Sequence, residues 1–365
     1  MAMVDRRSLA TGVLALLVVA GSGVIAGQAP AGQAPGGAAG QAPAGPGATG
    51  QPAGAPGRGA GGAGGGQGRG GAGGGGGRGG GRAAAYTPPA GSKELKDVLY
   101  NWAWHMGMLR SGAESELVKT LDYYGASGTF MVNGQPCTAV PGKIHMQVNY
   151  QIPGYRVQYE CTLPTKQTVK NVETMSGDYA WDEDMPGAEL VAGKGKATPR
   201  PETLTERRIR LWASPHGVVK AAIAAAAGQS REESFGENPA ALLDRQAAAG
   251  VKGTTTLSWV TEKTVEKAVL TFPLPDVPGA TATATLVNDL PEKVVVKNGN
   301  DTTEFIYGKW ADWNNPLFKI EALYAGTIVE QKNGKPVRNM TTKVTEIGQV
   351  YVIVPVPDSI KKAGK

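Results

Sequence analysis

From residue 117 onward, apolar and polar side chains trade places in short runs: GTFMV, KIHMQVNYQ, YRVQYECTL, TTTLSWV, KAVLTFPL, ATATATLV, EKVVVK, TTEFIYGKW, LFKIEALYAG, RNMTTKVTEI and QVYVIVPV. In TTEFIYGKW, Phe305, Tyr307 and Lys309 fall on one side, with Glu304, Ile306 and Gly308 on the other. A period of two is that of a strand with one face on a core and the other toward water. Asn133-Gly134, Asn298-Gly299 and Asn333-Gly334 lie between such runs. Asn-Gly tolerates the left-handed backbone that tight hairpins need, so these pairs predict antiparallel neighbours.

The period lengthens to that of a helix elsewhere. In GSKELKDVLYNWAWHMGML, Ser92 is a cap, and Leu95, Leu99, Trp102 and Met106 share one side. SPHGVVKAAIAAAAG reads as a second helix, capped by Ser214, opened by Pro215 and stopped by Gly228. On it Val219, Ile223 and Ala226 or Ala227 form a shallow apolar face, with Lys220 pointing elsewhere. A third helix, ENPAALLDRQAAAG, has Asn238, Pro239 and Gly250 in the same three roles. The order helix, strands, helices, strands predicts an α+β fold: one large curved antiparallel sheet with helices on its concave face. Residues 92–365 are enough for one substantial core, or for two cores sharing a sheet.

The first quarter has no such pattern. Arg6 and Arg7 precede an apolar stretch from Leu9 to Ala26, and Val24-Ile25-Ala26 makes a small-residue exit. Residues 1–26 therefore read as a secretory signal peptide, by the general secretory route or, on Arg6-Arg7, the twin-arginine one. Its cleavage would leave a mature chain with no transmembrane segment, in the periplasm or cell envelope. Residues 27–91 are nearly all Gly, Ala, Pro and Gln, have little to bury, and read as a disordered tether.

The net charge of +6 suggests a nucleic-acid partner until it is located. Six arginines and one aspartate precede residue 92, leaving 31 basic against 30 acidic residues in the rest. The folded part is neutral, the tether arginines lack interleaved aromatics, and no nucleic-acid partner is expected. Cys137 and Cys161 are the two cysteines. In an oxidising compartment they are candidates for a disulfide closing a loop of about 25 residues; in a reducing one, for two buried thiols.

Candidate chemistry is sparse. His105, His145 and His216 are isolated, so no metal or cofactor is expected, and no nucleophile motif accompanies them. Asp178, Asp182, Glu183, Asp184 and Glu189 form an acidic turn without the spacing of a calcium loop. The pattern predicts no enzyme. His216 reads either as a by-product of starting a helix or as a neutral imidazole, kept so by the helix N-terminus and free to contact a ligand.

MSGDYAWD (Met175 to Asp182) and LWASPHGVVKAAI (Leu211 to Ile223) resemble the exported β-rich region that precedes metallo-β-lactamase-fold domains in some bacterial proteins, a region of no established function. KWADWNNPLFKIEALYAGTIVEQKNGKPVRNMTTKVTEI is similar to that region's closing strands. In strand order, and in a hairpin near NGKPVR, the chain more distantly resembles the outer-membrane lipoprotein carrier class. Those carriers are unclosed β-barrels with helices plugging an apolar cavity. The resemblance implies a non-catalytic envelope protein that binds a lipid or other apolar small molecule. Trp181, Trp212, His216, Val219, Ile223 and Trp310 are the expected wall of its pocket. The alternative is a structural or assembly module whose sheet edges meet an envelope protein partner.

Overall fold

Thirteen antiparallel strands form one open sheet in a computed structural model that describes residues 86–109, 118–229, 238–317, 321–348 and 351–364. The expected signal peptide, and the tether up to residue 85, lie outside the described residues.

The first half of the sheet is a meander of β1 (Thr120–Val132), β2 (Gln135–Asn149), β3 (Gly154–Thr162), β4 (Thr168–Ser176), β5 (Tyr179–Glu183) and β6 (Ala197–Pro199). The second half holds β7 (Thr256–Glu262), β8 (Val265–Pro273), β9 (Thr281–Val287), β10 (Leu290–Asn298) and β11 (Asp301–Gly308). After a small hairpin of β12 (Ala311–Asp312) and β13 (Leu323–Tyr324), it closes with β14 (Thr327–Lys332) and β15 (Lys335–Ile347). The spatial order is β6-β5-β4-β3-β2-β1-β15-β14-β11-β10-β9-β8-β7. The first and last long strands thus join the halves, with Leu121 opposite Ile347 and Phe130 opposite Arg338.

Two Asn-Gly pairs form the turns their chemistry favours. Asn133-Gly134 and Asn333-Gly334 are two-residue loops with both φ angles positive, at 51° and 76°, and at 51° and 73°. At the third, the loop shifts one residue on to Gly299-Asn300, because Asn298 pairs with Asp301. Lys263-Thr264 makes an equivalent turn without glycine, at φ 49° and 75°. QVYVIVPV departs from the expected strand, since Tyr351–Pro357 has no ladder.

The helices are α1 (Leu95–His105), α2 (Leu204–Trp212), α3 (Pro215–Ala227), α4 (Pro239–Ala248) and the short α5 (Asp358–Ala363). Sequence pattern misses α2, since LTERRIRLW carries four charged side chains. The α1 helix begins at Leu95, with Ser92 accepting from Glu94 N and bonding Asp97 rather than capping the first turn. Tyr86, expected in the tether, packs its ring 5.1 Å from Tyr100 on α1.

The caps of α3 form as its residues dictate. Ser214 accepts from Gly217 N, and Gly228 ends the helix at φ 60°. Gly217 is required by space, since a Cβ there would lie 2.3 Å from Leu211 O. Every α3 residue except Ala225 is buried. A helix of small apolar residues covered on all sides is an interior element, and α3 packs between α1, α2, α4 and β8. A disulfide joins Cys137 on β2 to Cys161 on β3.

Candidate functional site

The turn between α2 and α3 is where buried polar groups gather. Ser214 Oγ donates to Leu211 O at 2.6 Å while the Tyr150 hydroxyl lies 3.0 Å from it. The Tyr307 hydroxyl donates to Ala213 O. Two bonds from facing strands and loops therefore hold a turn that would otherwise bury free polar groups.

His216 follows within the first turn of α3. Its Nε2–H donates to Met106 O at 3.0 Å, at the C-terminal end of α1, which leaves Nδ1 as an acceptor. That Nδ1 is buried and unpartnered. The imidazole is wholly buried and stacks 5.8 Å from Tyr324, whose hydroxyl is likewise buried and unpartnered. Burial lowers the His216 pKa to about 4, so the ring is neutral at physiological pH. One turn further, the Lys220 ammonium lies 5.3 Å from the centre of the Tyr150 ring. Burial pushes its pKa well below the usual lysine value. Far from pointing away, Lys220 is as buried as its apolar neighbours.

A second polar cluster lies on the α2 side. Arg210 Nε donates to both oxygens of Glu330 on β14, at 2.9 and 3.1 Å, and its Nη1 donates to Glu173 on β4 at 3.0 Å. Arg338 Nε pairs with Glu330 at 2.6 Å, and its Nη1 donates to the Tyr155 hydroxyl at 2.8 Å. Burial opposes ionisation of Glu330, but the two guanidiniums outweigh it and hold the carboxyl below its ordinary pKa.

The expected pocket wall is partly assembled. Trp212, Val219 and Ile223 are buried in one core, and His216, on the same helix as the last two, is wholly buried as well. Trp310 stands at the margin of that core, 6.1 Å from Tyr307, which bonds the α2–α3 turn. Trp181 does not belong with them. It packs with Ala197, Val352, Val354 and Ile360 in a separate cluster, and its indole donates to Glu183 at 2.9 Å. Strand parity separates it: Trp181 pairs with Thr174, in line with Arg156 and Gln147, while the main core takes Tyr155, Val157 and Met146. Pattern reading also passes over Tyr150, Arg210 and Glu330. Its one available signal for them is Lys220, a lysine within an otherwise apolar helix.

Among the described residues, no group of three or more His, Cys, Asp or Glu could hold a metal ion. No described helix is long and apolar enough to cross a membrane. No protein-family model matches the chain, and no curated protein matches it in sequence.

Proposed function

We propose that the protein is an exported, non-catalytic binding protein of the cell envelope for an apolar or amphipathic, lipid-like molecule, taken up between α3 and the sheet. The observation that carries this reading is the pair of buried, unpartnered atoms, His216 Nδ1 and Tyr324 Oη, whose rings stack at the N-terminal end of α3. Each such atom costs about 1–3 kcal/mol when no partner meets it. A head group offering a hydroxyl or amide would recover that cost.

Placement of the helices on a concave face, as in a plugged, unclosed barrel, is supported by Arg210. It bonds Glu173 and Glu330 at once, on strands five positions apart in the sheet. In a flat sheet those strands stand about 24 Å apart, at roughly 4.8 Å per step. A sheet bent around α2 brings both carboxylates within reach of one guanidinium.

Solvent extraction of the purified full chain, followed by lipid mass spectrometry, is expected to yield an acyl-chain lipid. Titration with the fluorescent fatty acid cis-parinaric acid is expected to saturate. His216→Asn should keep the fold but retain less of either. A lipid-free protein that also ignores cis-parinaric acid overturns the reading, and a discrete oligomer in that case favours an assembly module acting through protein contacts. Unfolding of His216→Asn with no separate binding defect removes His216 from the site.

A further inference from the structure

The outward face of β1–β4, away from α3, carries a groove of about 430 Å³, within the size range of small-molecule sites. We propose that this groove binds a neutral oligosaccharide, a role separate from the lipid-like site.

Its floor is one rung of the sheet, in which Tyr124, His145, Gln158 and Val172 stand opposite one another on four successive strands. Tyr124 and His145 stack with ring centres 4.5 Å apart and planes at 7°. The stack is fixed from below. His145 Nε2 bonds Asp122, a nearly buried carboxylate that also accepts from the Tyr124 hydroxyl at 3.1 Å. Gln158 Nε2 donates to His145 Nδ1 at 2.8 Å. With both ring nitrogens and the phenol engaged, the group offers no free base or nucleophile, so the geometry is that of a binding platform rather than a reacting centre.

Charge and shape select the ligand class. Lys143 and Lys170 are matched by Glu160 and Asp184 around the groove, and Lys170 pairs with Glu160 at 3.1 Å. A balanced rim rewards neither an anion nor a cation. The Tyr124–His145 stack beside the Gln158 amide and the Glu160 and Asp184 carboxylates suits pyranose rings, whose C–H faces pack on the aromatic surface while their hydroxyls bond the polar groups.

Saturation-transfer NMR of the full chain with cellotriose and chitotriose, each at about 1 mM, tests this. Expected is transfer to the pyranose C–H protons of at least one trimer, with shifts of the Tyr124 and His145 resonances. Tyr124→Leu should weaken binding by about fivefold or more, and Lys143→Met by less than about twofold. Should Tyr124→Leu lower the thermal midpoint, Gln158→Ala takes its place. No transfer from either sugar, equal binding after both substitutions, or tighter binding of a galacturonate trimer overturns the proposal. Retention of cis-parinaric acid by the groove variants is expected, because the two sites face opposite ways.

Discussion

The two buried polar clusters on either side of the α2–α3 turn differ in how completely they are paired. Around Glu330, two guanidiniums and the Tyr155 hydroxyl pair both carboxylate oxygens, and the one atom without a hydrogen bond, Arg338 Nε, still lies against Glu330 as an ion pair. Around His216, burial is as deep, yet Nδ1 and the Tyr324 hydroxyl are left over, and burial has moved both His216 and Lys220 toward their neutral forms. The first cluster holds α2 to two distant strands. The second keeps polar atoms in reserve at the N-terminal end of α3. Depth alone does not separate a fastening from a binding site; the saturation of its hydrogen bonds does.

The sharpest break in this contrast is Glu330→Gln, which leaves Arg210 and Arg338 buried without their shared counter-charge. It is expected to cost about 3–5 kcal/mol, read as a fall in the urea midpoint. Next is pH. The folded pKa of His216, about 4, lies below its unfolded value of about 6.5, so the unfolded chain takes up the proton first. Its contribution is complete above pH 6.5 and is lost as pH falls toward 4, by about 3 kcal/mol in all. Urea midpoints at pH 7.5 and 4 should show this in the parent chain, and His216→Asn should flatten that part of the profile. The smallest effects have opposite signs. Tyr155→Phe removes a bonded hydroxyl and should destabilise by about 1 kcal/mol, whereas Tyr324→Phe removes an unpartnered one and should stabilise by about as much. If both changes destabilise equally, the two clusters are alike and the contrast fails.

Elements set by neighbouring residues were legible in the sequence. Asn133-Gly134 and Asn333-Gly334 announce their hairpins, and Ser214, Gly228 and Asn238 announce their helix ends, because the chemistry of a turn or cap lies within a few residues. What depends on distant partners was not. The sequence pattern gives no helix at α2, and Arg210 on it is buried because Glu330 arrives from 120 positions along the chain. His145 reads as solitary, although Asp122 and Gln158 reach it from flanking strands. Trp181 and Trp212 look like companions by their place in the chain, but one residue of strand parity sends Trp181 to the opposite face. Periodicity tells which positions alternate, and it does not tell which of two faces a given charge will find a partner on.

The pairing of β1 with β15 has a consequence for how the chain is made. During synthesis β1 is complete more than two hundred residues before its second neighbour exists. Until then its outer edge presents open amides and carbonyls, and neither half of the sheet can take its final curvature. Long-range strand pairing of this kind folds slowly and is exposed to wrong partners while it waits. The two halves can mature separately, but the finished core is assembled only at the last long strand, so a truncation before residue 335 would leave two half-sheets rather than a smaller version of the whole.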